Sequence, residues 1–294
     1  MKRMVITTCL LVLFAFVASS AYAVDLGDIL KKIEPEKQPV PTTQQETKQQ
    51  TPPEEEGLNL FGEVSLADEV RIGRRVAGNL LGSAPLVKDE KLQKYVNSVG
   101  RWVALQSDRP DLEWHFGVID STDINAFAAP GGYVMVTKGL YQALNSEADL
   151  AGVLAHEIGH VIRKHHLKLM QQGRLLEIGS QFLSQKVGTK DEAIKKLIGS
   201  GAEVFARSLD KNAEYDADRV AVVLATRAGY DSYGLPAVLQ DIGHAGADDS
   251  RVSLLFKTHP HPDDRLMRLD DAMGTAFDRY KGKTVAERFY RIKK

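Results

Sequence analysis

Residues 146–166 read SEADLAGVLAHEIGHVIRKHH, an apolar stretch interrupted by two histidines and a glutamate. Ser146 is placed to cap a first turn, and Asp149 three residues on completes an approximate capping box, so the spacing predicts a helix from Ser146 to about Gln172. At about 100° per residue, His156 and His160 project from one face one turn apart, with Glu157 beside them. Two imidazoles so placed can bind one zinc ion while a neighbouring carboxylate reaches a water on it. The structural alternative is a pair of hydrogen-bonded histidines on a half-buried helix. A third ligand distinguishes the two.

DKNAEYDADRVAVVLATRAGY, residues 210–230, supplies a candidate. Its pattern predicts a helix from about Asp210 to Arg227 that stops at Gly229, a residue suited to a left-handed cap. Glu214, Asp218, Val222 and Ala225 fall on one face, so two carboxylates continue an apolar stripe. Burying ionised carboxylates is costly unless they are paired or bind a metal. Glu214 as third zinc ligand and Asp218 as acceptor for the N–H of a zinc-bound histidine would offset that cost. A solvated acidic first turn fits Asp210 and Asp216 well, and Asp218 poorly.

Outward from these two helices the chain reads as an α+β domain, mostly helical with a small sheet. Leu92, Val96, Val99 and Val103 keep helical spacing, and 65–81 does so less regularly. LEWHFGVID (112–120) alternates like a strand, and NAFAAPGGYVMVT (125–137) sets a Pro-Gly-Gly turn before another strand-like run. Ahead of the domain, residues 1–23 carry Lys2 and Arg3, an apolar run and small residues at Ala21 and Ala23, the pattern of a cleavable secretory signal. Residues 24–57 include five of the eleven prolines and, from Glu34 to Glu56, one aliphatic residue, Val40; they read as a disordered linker. The domain is expected over 58–294. Cys9 is the single cysteine and lies in the signal, so the mature chain must rely on its core or on a metal held by nitrogen and oxygen. Without Lys2 and Arg3 the 38 basic and 39 acidic residues become 36 and 39, a net charge of −3 that excludes nucleic acid as the expected partner.

The combination of HEIGH (156–160) with EYDAD (214–218) resembles the gluzincin peptidases related to HtpX, the CaaX prenyl protease and the mitochondrial Oma-type proteases. NAFAAPGGYVMVTKGL (125–140), FGEVSLADEVRIGRRVA (61–77) and THPHPDDR (258–265) extend the likeness to about residues 58–275. It is nearest the soluble periplasmic branch of the β-barrel assembly-enhancing proteases, without their tetratricopeptide array. The resemblance implies a zincin-like domain whose small edge-exposed sheet lies next to the active-site helix. It also implies one zinc ion per chain, held by His156, His160 and Glu214, with Glu157 as general base and Asp218 as the second catalytic residue, orienting a zinc-bound histidine. GGYVMV (131–136) is similar to the family's substrate-binding edge strand, making Gly131, Gly132, Tyr133 and Val134 substrate-binding candidates; an ordinary hairpin is the alternative. Asn125 matches the pattern too, either in binding or in shaping the turn.

His259 has three readings: a fourth zinc ligand that holds the enzyme latent, a donor to the tetrahedral oxyanion, or a packing residue, in that order. His165 and His166 follow the zinc face by five and six residues and are expected on an exposed helix end. His115, His244 and His261 lack ligand spacing. The expected function is zinc-dependent endoproteolysis of unfolded or misassembled envelope proteins in the periplasm, with the outer-membrane assembly machinery as a candidate partner. The alternative is a chaperone or assembly factor with little proteolysis, for which an intact Glu157 has no use.

Overall fold

The polypeptide chain is laid out in a computed structural model that describes residues 64–172, 209–244 and 249–292. The expected signal and linker lie outside the described residues. The described residues all fall within one compact unit.

Helix α1 (Leu66–Ser83) begins where the Ser65 hydroxyl accepts the Asp68 N–H, and it buries Glu69, Ile72, Val76 and Ala77 along one stripe. Helix α2 (Glu90–Ala104) is capped by Asp89 and buries the expected Leu92, Val96, Val99 and Val103. Three strands follow: β1 (His115–Ile119), β2 (Ala126–Ala129) and β3 (Tyr133–Thr137). The mixed sheet has the order β1-β3-β2, with β3 parallel to β1 and antiparallel to β2.

That order corrects one expectation. The segment 131–136 is not an edge: β3 is the central strand, its backbone engaged on both sides, because β1 pairs with the flank opposite β2. Tyr133 and Val134 are therefore ladder residues. Gly131 and Gly132 form the connection, with φ of 74° and 94°, a region where a side chain would clash with its own backbone. The Glu69 carboxylate accepts the Gly131 N–H at 3.1 Å and is held in turn by Arg109.

The edge beside the active-site helix is β2. Thr137 N–H donates to the Asn125 carbonyl, and antiparallel bonding alternates, so Asn125, Phe127 and Ala129 face β3 while Ala126 and Ala128 turn their backbone groups outward. Among the described residues no fourth strand pairs there. Asn125 is fully buried, and its side-chain oxygen takes up the Ala126 N–H at 2.9 Å. It shapes the start of this edge.

After α3 (Lys138–Ala143) comes α4 (Glu147–Ile162), with the capping box between Ser146 and Asp149 in place. Every residue from Glu147 to Val161 is buried. The helix does not continue to Gln172. Arg163 closes it, Lys164 takes a left-handed φ of 56°, and the chain re-enters helix at 165–172 (α5). Helix α6 (Lys211–Arg227) packs along α4. A Cβ on Gly159 would meet the Ala217 Cα at 3.2 Å, so the glycine within HEIGH permits the close approach of the two helices. Helices α7 (Gly234–Gly243), α8 (Ser253–Thr258) and α9 (Pro262–Met273) complete the wall around α4. No helix among the described residues is long and apolar enough to cross a membrane.

At the start of α4, Glu147 is fully buried and accepts hydrogen bonds from Tyr95 (2.8 Å), Tyr230 (2.8 Å) and Arg288. Burial opposes its ionisation, but those donors prevail and hold its carboxyl below the usual range. A folded pKa below the unfolded one means that the carboxylate stabilises fully above the unfolded value, ~4.3, and that this stability is lost as pH falls further. Glu147→Gln is therefore expected to lower stability at neutral pH and to flatten its acid dependence below about pH 4.5. Urea midpoints measured from pH 7 to 3 check this; parallel profiles for both proteins would contradict it.

Candidate active site

Helix α4 presents His156 and His160 one turn apart, and their Nε2 atoms approach to 3.0 Å. From the facing stripe of α6, Glu214 places its carboxylate oxygens 3.6 Å from His156 Nε2 and 3.5 Å from His160 Nε2. His259, the residue that closes α8, brings Nδ1 to 2.6 Å from Glu214 Oε2. One ligand atom from each of these four residues lies within 4.8 Å of the others. Three of the residues are buried and His259 is nearly so.

This donor set suits a zinc ion. Two imidazole nitrogens and a carboxylate converge on one point, and Glu214 Oε1 is buried with no hydrogen-bond partner. Burial and Arg265 both press His156 toward its neutral form, yet Asp218 and Glu214 bring its pKa up to about 9. The carboxylates thus favour positive charge at the point where a divalent cation would supply it. Burial likewise opposes the Glu214 charge, but His259 and His160 hold its carboxyl well below the usual range.

Asp218, one turn beyond Glu214, accepts from His156 Nδ1 at 2.8 Å. Behind it stands Arg265, whose guanidinium grips both Asp218 oxygens (3.0 and 2.6 Å) and is itself buried. Arg265 also lies 3.2 Å from His156 Nδ1, but a nitrogen that donates to Asp218 cannot accept from arginine, so the carboxylate is what the two share. Burial opposes the Asp218 charge, and Arg265 and His156 outweigh it, bringing its pKa to about 2. Arg265 stands in the THPHPDDR segment quoted above, but nothing in its spacing told of its partner.

Glu157 is buried beside the cluster. Burial pushes its carboxyl up from the usual range, which suits a group that must take and return a proton. It borders a cavity of about 30 Å³ together with Ala126, Val153, His156, His259 and Arg265. The space is enough for a water. A far larger cavity of about 1310 Å³ lies at the other end of α4, around Tyr95, Glu147 and Arg288, and includes none of the histidine cluster.

The remaining histidines divide. His115 stacks on Tyr133, His244 is exposed after α7, and His261 caps α9. His165 is not on an exposed helix end as expected: it is buried, and its Nδ1 meets His160 Nδ1 at 3.0 Å. His166 is also partly buried, its ring 5.5 Å from that of His160, and burial lowers its pKa to about 4. The left-handed turn at Lys164 returns both residues to the site, which a continuous helix would not have done.

The family model of peptidase family M48 matches residues 90–273, more than half of the chain and all of the cluster. The chain belongs to peptidase family M48. It is 29% identical to the β-barrel assembly-enhancing protease of Escherichia coli strain K12, over 71% of this chain and 45% of that protein. It is 25% identical to the metalloprotease YcaL of the same organism, over 74% of this chain and 86% of that one. Identity to the mitochondrial metalloendopeptidase OMA1 of Arabidopsis thaliana is 27%, over 60% and 35% respectively. The chain thus spans less than half the length of the assembly-enhancing proteases it matches.

Proposed function

We propose that this M48 chain is a zinc metalloendopeptidase that hydrolyses peptide bonds of unfolded or misassembled envelope proteins after export to the periplasm. The observation that carries the reaction class is the convergence of His156, His160 and Glu214 on one point, with the buried carboxylate of Glu157 alongside. His156, His160 and Glu214 would hold the zinc, and Asp218 orients His156. When bound, zinc supplies a Lewis acid for acyl transfer to water. Glu157 takes the proton of the attacking water and returns it to the leaving amine, a role its depressed acidity favours. The Ala126 carbonyl and the Ala128 backbone groups, which β3 does not engage and which are buried at rest, would give an extended substrate a strand edge to pair with once uncovered. Such pairing reads main chain rather than side chains, which fits unfolded clients of varied sequence.

The export step rests on the signal pattern in residues 1–23, and the envelope clients rest on the likeness to a protease named for β-barrel assembly. Incubation of the purified protein with an unfolded substrate, with zinc or with a chelator, tests the activity. Zinc-dependent cleavage is expected; client protection without cleavage would favour an assembly factor instead.

His259 adds regulation. Its ring lies among the groups that would hold the metal, with Nδ1 at 2.6 Å from Glu214, and it follows a short helix as the first residue of a His-Pro-His-Pro run. We read it as a fourth ligand that keeps the site closed at rest. His259→Ala is then expected to raise turnover of an unfolded substrate by about tenfold, as when a closed state favoured by ~1.4 kcal/mol is removed. An unchanged or lower rate would sink the latency reading.

A further inference from the structure

A histidine that offers its Nε2 lone pair to a metal carries its proton on Nδ1 and needs an acceptor there to fix the ring. His156 has the Asp218 carboxylate for this purpose. Among the described residues His160 has none: its carboxylate contact there is from Nε2 to Glu214. What faces its Nδ1 is Nδ1 of His165, at 3.0 Å with the two rings at 71°. The far nitrogen of His165, Nε2, looks toward Asp216 Oδ2 at 3.7 Å. Asp216 is in turn flanked by Arg163 and Arg219, each at 3.3 Å.

We infer that His165 is a positioning residue for the metal site, accepting the Nδ1 proton of His160 and turning its own Nε2–H toward the Asp216 carboxylate, which attracts it across 3.7 Å without a direct hydrogen bond. Bonding logic assigns the tautomers: if His160 Nδ1 donates, His165 Nδ1 must accept, and the His165 proton then lies on Nε2, facing the acidic partner.

The backbone supports the same assignment. On an unbroken helix a residue five positions after His160 would lie about 140° away round the axis and could not meet its ring. Lys164 instead adopts a left-handed conformation, which costs a non-glycine residue about 1 kcal/mol. That turn carries His165 back against His160, where it is 8% exposed. Lys164 is the residue after the helix cap, where a left-handed conformation ends a helix, and the cost of placing a lysine instead of a glycine there is offset by what the turn brings into place.

This inference rests on the zinc reading above, and the test separates the two. Zinc affinity of the full chain is measured by competition with a chromophoric chelator, alongside melting of the metal-free protein. A wild type that binds no zinc overturns the zinc reading and this one with it. Given a wild type that binds, His165→Phe, which fills the space without an acceptor, is expected to weaken zinc by ~10–100-fold. His165→Asn, whose side-chain oxygen stands near the original Nδ1, is expected to restore most of that loss. Equal affinities for wild type and both variants, or equal losses in both variants, would overturn the assignment, since packing alone would not distinguish them. Asp216→Asn, at the more exposed end of the relay, keeps the test readable if the His165 variants do not fold. A several-fold weakening supports the relay, and wild-type affinity overturns it.

Discussion

Glu157→Gln is expected to reduce hydrolysis of an unfolded substrate by about 10³-fold while leaving zinc at one ion per chain. The amide keeps the size and burial of the carboxylate but cannot accept the water's proton. Because Glu157 points beside the converging nitrogens and is not among the four residues whose ligand atoms meet, its loss should leave metal affinity near that of the wild type. Burial already disfavours its charge, so replacement with a neutral group should not lower stability and should raise it slightly. Zinc stoichiometry, melting temperature and kcat/KM measured on one preparation check all three statements. Appreciable residual cleavage with full zinc would mean that another group takes the proton.

Glu214→Ala is expected to act differently, abolishing stoichiometric zinc after dialysis and lowering kcat/KM by roughly 10³-fold or more, the equivalent of several kcal/mol of lost Lewis-acid assistance. The carboxylate is fully buried and faces His156, His160 and His259 at 2.6 to 3.6 Å. Its removal leaves those rings without the anion that draws a cation among them. Asp218→Asn should be milder, on the order of 10–100-fold in zinc affinity, because it acts through the orientation of His156 alone. The order Glu214 before Asp218 is the informative result. Retained zinc in Glu214→Ala would remove Glu214 from the ligand set.

These variants also tell a binding-only protein from an endopeptidase. A chaperone that used the β2 edge would lose nothing in client binding with Glu157→Gln and little with Glu214→Ala. An endopeptidase loses turnover in both, and loses metal in one.

Much of the molecule is legible in one dimension because the relevant periodicities are local. The HEIGH spacing brings His156 and His160 to one face of a helix whatever packs around it. Glu214 and Asp218 sit on a stripe that ends in Val222 and Ala225, and a carboxylate in line with buried aliphatics calls for a partner wherever it lies. Ser146, Asp149 and Gly229 mark helix ends through bonds to neighbours within a few residues. Tertiary structure decided the rest. Whether 131–136 is central or at an edge depends on β1 taking the far flank of β3, a pairing between segments some eighteen residues apart that no alternation of side chains reports. Arg265 finds Asp218 across 47 residues of sequence. Lys164 turns left-handed although lysine has no preference for that region, so the break in the helix, and with it the return of His165 to His160, follows from packing and not from any residue type that could announce it.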